Sequence, residues 1–198
     1  MKSKTLAEKF AWDFVKKHNN PFEFVTIAPA MTVGPLLNPR LPTSMMVIAS
    51  IMDRIYPLLP KINWKLCDVR DVATGHVNAL TSKAANGNRY IIVNATMWTS
   101  DVAMYLNYEY GPKGFSVSQT TGPYWVIWLA SFFDPLVTDF VLPQYGKLRL
   151  SDSSPAIKDL SVVYINARDM LLDATNSLIH HKLIQIPKSF EQNNKAKL

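Results

Sequence analysis

Phe22-Glu23-Phe24-Val25-Thr26-Ile27-Ala28-Pro29-Ala30-Met31-Thr32-Val33-Gly34-Pro35 passes from an apolar, partly β-branched run into proline and glycine. Such side chains pack well on a pleated surface, so a strand is predicted over Phe22–Ile27, ended by Ala28-Pro29. Ala28 to Pro42 holds four prolines and Gly34, which predicts a loop with defined turns.

Outward from this stretch, helix and strand signals mix without a long linker. Upstream, Leu6, Phe10 and Phe14, flanked by Ala7, Ala11 and Val15, recur at helical spacing, so Ser3–Lys17 is predicted helical and is stopped by Asn19-Asn20-Pro21. Downstream, Thr43-Ser44 can cap a helix through Met45, Ile48, Ile51 and Met52. Trp64–Val69 reads as a strand, and Asp71 as the cap of a helix carrying Val72, Val77 and Leu80. Asn86-Gly87-Asn88 turns the chain into an apolar strand, Tyr90–Val93. Thr99 or Ser100 then caps a helix with Val102, Ala103, Leu106 and Tyr110 on one side, closed by Gly111-Pro112. Phe115–Gln119 and Lys147–Leu150 are further strand candidates, and Arg168–His180 is a helix.

The bulk numbers narrow the class. With 48% apolar and 18% charged residues the chain is globular in composition. Its net charge of +6 comes from scattered lysines rather than one basic face with interleaved aromatics, which argues against a nucleic-acid partner. The single cysteine, Cys67, excludes an internal disulfide and fits a reducing compartment. Met1-Lys2-Ser3-Lys4 leads into no apolar signal core, so the predicted location is cytoplasmic. The aromatic run Tyr124–Phe133 is interrupted by Asp134 and Pro135, well short of the ~20 residues that a membrane span needs. Core packing is its commonest fate, with substrate lining second and membrane or partner contact less favoured. His180-His181 has no accompanying Cys/His/Glu cluster, so no metal site is predicted. The seven glycines never form a GxGxxG phosphate loop.

Three ordered motifs carry a resemblance. Ser3-Lys4-Thr5-Leu6-Ala7-Glu8 resembles part of the active-site helix of extended short-chain dehydrogenases/reductases, Tyr-x-x-Ser-Lys-x-x-x-Glu. Ile27 to Pro35 resembles the family's Asn-Pro-Gly-x-Val-x-Gly-Pro segment, with Ala28 and Ala30 standing where Asn and Gly are usual. Asp68-Val69-Arg70-Asp71-Val72-Ala73, followed by His76, resembles a structural element of the same family. Here Asp68 and Arg70 read as an ion pair or backbone anchors, and His76 as a packed or capping histidine. The kinship is to the dihydroflavonol-reductase-like and epimerase/dehydratase members, related to 3-beta-hydroxysteroid dehydrogenases. It spans Ser3 to about Ile179.

The resemblance implies an α/β fold, the C-terminal part of a Rossmann-type doubly wound parallel sheet plus a small substrate-binding subdomain. On it, residues 1–186 form that portion and 187–198 a polar, disordered tail. It implies NADP- or NAD-dependent hydride exchange with a small apolar or sterol-like carbonyl or secondary alcohol. Lys4 would tune a catalytic tyrosine and contact the nicotinamide ribose. Pro29, Ala30, Met31, Thr32 and Ser44 would contact the cofactor. The tyrosine would fall four residues before Lys4, ahead of Met1, as would the Gly-rich loop. The expectation is therefore a chain that is inactive alone and that requires an N-terminal half to complete its sheet. Two alternatives stand beside it, a non-catalytic, partner-binding product and a membrane-associated sterol-type dehydrogenase.

Overall fold

A computed structural model describes residues 2–195. The sixteen-residue helix α1 (Lys2–Lys17) leads into β1 (Thr26–Pro29) and β2 (Met31–Val33), separated only by Ala30. There follow α2 (Thr43–Met52), β3 (Asn63–Asp68), α3 (Val69–Ala79), β4 (Arg89–Ile92), β5 (Ala95–Trp98) and α4 (Thr99–Tyr110). The remaining helices are α5 (Tyr124–Ala130), α6 (Ser154–Leu160), α7 (Ala167–His180) and α8 (Lys188–Lys195).

The strands form two small sheets. β1 pairs parallel with β4, Thr26 opposite Arg89 and Pro29 opposite Ile92. In the second sheet β3 lies between β2, which it meets parallel, and β5, which it meets antiparallel. Ala30 N–H donating to Ile92 O (3.0 Å) and Asn94 N–H donating to Leu66 O (2.8 Å) tie the sheets where one gives way to the other.

Burial is concentrated on one side. α2, α4 and α7 enclose a core with β2 and β3 in which Met45, Ile48, Leu66, Leu106, Met170, Leu171 and Leu178 are fully buried. A smaller cluster of Cys67, Tyr90, Ile92, Leu160 and Val162 packs between the strands and α6. Gly75 of α3 is part of this closeness, since a Cβ there would stand 2.6 Å from Ile92 Cδ1.

Several sequence expectations change. The predicted strand Phe22–Ile27 ladders only from Thr26, because upstream of it Phe24 O accepts from Gly87 N–H (2.8 Å) in the 86–88 turn. The proline-rich loop contains β2, since residues 31–33 lack proline and keep the amides a ladder requires. Thr43 and Ser44 do not cap α2. Pro42 is extended and its carbonyl accepts from Met45 and Met46, which makes Thr43 and Ser44 the first helical residues. Neither Thr99 nor Ser100 caps α4, whose Asp101 carboxylate reaches back to Trp98 N–H (3.0 Å). Asp68 rather than Asp71 caps α3, accepting from Arg70 N–H at 2.8 Å. That helix exposes Val77 and Leu80, since its sheet-facing side carries Asp71 and Gly75. Phe115–Gln119 and Lys147–Leu150 lie outside strands. Of the segment read as a disordered tail, 188–195 is helical, with Phe190 edge-on to Phe115 at 5.3 Å. Residues 196–198 lie outside the described residues.

Candidate functional site

Of the site residues named from sequence, Pro29 closes β1, Ala30 follows it, and Met31 and Thr32 open β2. Two contacts fix how α1 lies on the strand. The Trp12 ring meets Phe24 edge-on, centroids 4.5 Å apart. Glu8 Oε1 accepts from Thr26 Oγ1 (3.2 Å) and from Arg89 Nε (2.7 Å). Four residues along the helix are thus matched by two along the strand, in the opposite direction. The pitch explains this, because four helical residues rise ~6 Å and two strand residues ~6.6 Å. Carried one turn further, the same pitch would bring Lys4 toward the level of Ala28-Pro29. It is exposed.

Pro29 is exposed at the end of β1, while Ala30, Met31 and Thr32 are half-buried. The fold itself occupies part of this stretch. Ala30 N–H is given to Ile92 O, and Thr32 Oγ1 donates to Ala30 O (3.3 Å) and lies 3.5 Å from Cys67 Sγ. Ser44, half-buried in the first turn of α2, shares this neighbourhood because α2 packs against β2.

What holds the loop is the element read as structural. Gly34 adopts φ +136°, and a Cβ there would lie 2.9 Å from Val69 Cγ1 and 3.2 Å from Asp68 Oδ1. Only glycine suits both the backbone angle and the close passage over the start of α3. The fully buried Asp68 binds Arg70 through two contacts, Nε to Oδ1 (2.9 Å) and Nη2 to Oδ2 (2.8 Å). Arg70 also reaches Asp173 of α7 (2.7 Å). This clamp joins the loop, α3 and α7. Asp71, which is buried, accepts from Ile165 N–H (3.3 Å). Burial pushes its carboxyl above the ordinary range; Ile165 N–H opposes, and the charge of Asp68 adds to the rise.

Other chemically suggestive residues are absorbed by structure. Cys67 is fully buried, and burial pushes its thiol up, away from the thiolate a nucleophile needs. His76 Nδ1 lies 2.8 Å from Val72 O of its own helix. His181 Nε2 lies 3.1 Å from Leu36 O. No group of three metal-ligating side chains occurs among the described residues.

One shallow groove runs past Pro35, Leu36, Arg70, Asp173 and His181, another past Asn107, Glu109 and Phe115. Neither is lined by Lys4, Pro29–Thr32 or Ser44. Sequence reasoning quoted Glu8 as part of a motif but missed its partner, Arg89. The signal was a lone cation at the mouth of an apolar strand.

Comparison with known proteins bears on this geometry. No family model matches the chain. It is 39% identical over 108 residues to "Cinnamoyl-CoA reductase CAD2" of Medicago truncatula, a stretch covering 54% of this chain and 32% of that protein. It is 32% identical over 111 residues to "Dihydroflavonol 4-reductase" of Dianthus caryophyllus, covering 54% and 29%. Among solved structures, yeast methylglyoxal/isovaleraldehyde reductase Gre2 complexed with NADPH superposes with a TM-score of 0.69 at 22% identity, over 90% of this chain and 54% of that one. The matched region spans about a third of the curated relatives and half of the solved chain. The fold is therefore α/β and Rossmann-like.

Proposed function

We propose that this homologue of the extended short-chain dehydrogenases/reductases supplies the nicotinamide-side face of an NADP(H)-dependent carbonyl reductase. The observations that support the reading are the contacts of Trp12 with Phe24 and of Glu8 with Thr26, whose direction leads the start of α1 toward the carboxyl end of β1. Open α/β sheets bind their ligands there.

The residues present suit one end of a dinucleotide. Lys4 and Pro29 are both exposed, and Gly34 passes closely over Asp68 and Val69 where the loop begins. The pyrophosphate end would need a Gly-rich turn at a helix N-terminus, and the 198 residues contain no such motif. When bound, the nicotinamide supplies hydride chemistry. Lys4 would contribute a positive charge that holds a ribose hydroxyl and favours the ionised form of a neighbouring phenol. Pro29, Ala30 and Met31 would contact the nicotinamide ring, and Ser44 would contact the cofactor from α2. Because Ala30 N–H is committed to Ile92 O and Ala30 O accepts from Thr32 Oγ1, side-chain faces rather than this peptide would make the contact. The substrate is a small apolar carbonyl compound, and reading the 2′-phosphate falls to residues outside this face.

The 198-residue chain by itself is then inactive. In a chimera with the N-terminal half of the Medicago reductase, NADPH binding and aldehyde reduction return. In that chimera Lys4→Ala lowers kcat by ~100-fold or more, without altering the melting temperature. Turnover by the 198-residue chain alone, or an unchanged kcat in the Lys4→Ala chimera, would overturn the reading.

A further inference from the structure

The turn that feeds β4 holds the chain's only Asn-Gly pair, Asn86-Gly87. Asparagine is among the chemically labile residues, and a following glycine sets no Cβ beside the backbone nitrogen that can attack its side chain. Both residues are exposed, and a Cβ on Gly87 would meet nothing within 4 Å. The backbone is nonetheless closed. Asn88 N–H donates to the carbonyl of the buried Ala85 (3.1 Å), and Gly87 has φ +74°. A bond between first and fourth residues with a left-handed glycine third is the pattern of a type II turn.

Two further bonds fasten this turn to Phe24. Asn86 Oδ1 accepts from Phe24 N–H (3.0 Å), and Gly87 N–H donates to Phe24 O (2.8 Å). The groups held are the two reactants of a deamidation, the side-chain amide as electrophile and the next backbone nitrogen as nucleophile. For the ring to close, Gly87 N must give up its proton and swing onto Asn86 Cγ. It can do neither while that proton is shared with Phe24 O and the turn is closed through Ala85. Phe24 is itself held from α1, where the Trp12 ring meets it edge-on at 4.5 Å. Beyond the turn, Asn88 O accepts from Thr26 N–H (3.1 Å) at the start of the β1–β4 ladder. The clasp on Phe24 and the entry to that ladder are therefore one piece of structure.

We propose that Asn86 is a site of spontaneous deamidation whose rate is set by the clasp on Phe24. When the clasp opens, Gly87 N bonds to Asn86 Cγ, and the side-chain –NH2 leaves with the Gly87 proton as ammonia. Water then opens the resulting cyclic imide. Breaking its Cγ–N bond gives aspartate, while breaking the bond from the α-carbonyl carbon to nitrogen leaves the chain running through Cγ, as isoaspartate. The sequence consumes only water. Aspartate at 86 keeps an oxygen for Phe24 N–H, so the turn survives. Isoaspartate lengthens the backbone by one methylene, which displaces Gly87 N–H and Asn88 O and loosens the first rung of β1 with β4. The inference is independent of the proposed reductase activity.

The test incubates the 198-residue chain, folded and unfolded in guanidinium, side by side in mildly alkaline buffer. The peptide carrying residue 86 is followed by mass spectrometry, with isoaspartate resolved from aspartate by fragmentation. The unfolded chain converts at Asn86, and the folded chain converts at least ~tenfold more slowly, because only a minor population has the clasp open. Trp12→Ala, with circular dichroism unchanged, frees Phe24 and speeds conversion of the folded chain at least ~threefold. Phe24→Leu, which keeps an apolar side chain without the ring contact, does the same and serves where Trp12→Ala does not fold. Chain carrying isoaspartate exchanges the Thr26 amide faster than the Asn86→Asp variant. Equal rates folded and unfolded, or no conversion at Asn86 in the unfolded chain, would overturn the proposal. So would a folded rate that neither substitution moves.

Discussion

α1 and α7 are helices of similar length with the same kind of apolar stripe, yet they end differently. α7 buries Met170, Leu171, Ala174, Thr175 and Leu178, four of them apolar and all inaccessible to solvent. α1 buries Val15 alone and leaves Leu6 54%, Phe10 72% and Phe14 44% exposed. The partners account for the contrast. α7 lies against α2, α4 and β2, whereas α1 reaches β1 and β4 only through Glu8, with Trp12 packed on Phe24 ahead of β1. β1 itself ladders only with β4 among the described residues, leaving its other edge open. Helical periodicity therefore marks a face that gains from burial without saying what buries it. α5 repeats the lesson, burying Ile127 while Trp125, Trp128 and Leu129 stay exposed.

The largest expected effect breaks the contrast directly. Leu178→Ala removes a fully buried side chain and should cost ~2–5 kcal/mol in chemical denaturation. Phe10→Ser on α1 should stay within about 0.5 kcal/mol. Equal costs would mean that the α1 stripe is covered in solution.

A smaller effect separates the two regions by pH. The Asp71 carboxyl is raised on folding, first by burial. A raised acid contributes stability that is complete below its ordinary value of 3.8 and is lost as pH climbs through the folded value. Asp71→Asn should therefore gain on the wild type between acid and neutral pH, with the difference vanishing at the acid end. A difference independent of pH would remove desolvation as the cause.

The smallest effect concerns the tie that seats α1. Partial burial works against the Glu8 charge, but Arg89 and Thr26 outweigh it and hold the carboxyl below its ordinary 4.5. That contribution has the opposite sign to the one at Asp71, being present above the ordinary value and lost as pH falls through the lowered one. Glu8→Gln should cost at most ~1 kcal/mol at neutral pH. It should also speed amide hydrogen exchange in α1 while leaving α7 unchanged. Equal acceleration in both helices would show that the two regions unfold as one unit.

Much of this was legible along the chain, and the errors share a form. Met170, Leu171, Ala174 and Leu178 at helical spacing placed α7, and Gly34 after Val33 marked the loop that passes over α3. Asp68 and Asp71 are both good cap residues, and spacing could not choose between them. The choice fell to Ile165, far along the chain, whose N–H claims Asp71 and leaves Asp68 to cap. Thr43 and Ser44 misled similarly, since Pro42 had already fixed an extended entry to α2. At the candidate site, motif resemblance named Lys4 and Pro29–Thr32. It could not show that Ile92 had taken the amide of Ala30, or that Arg89 held the Lys4 helix in register.

The sequence by itself determined the helices α1, α2, α4 and α7 and the strands β1, β3 and β4 but not β2 or β5, together with the absence of a Gly-rich phosphate loop within these 198 residues and the order of motifs linking the chain to its reductase relatives. These follow from local preference, because side-chain branching, missing amides and glycine's freedom act within a few residues. Only the tertiary structure decided which stripes are covered, which of two buried aspartates caps α3, and which strand residues tie α1 down. Each of those depends on what another segment, often a hundred residues away, brings to the same place, and no local pattern carries that information.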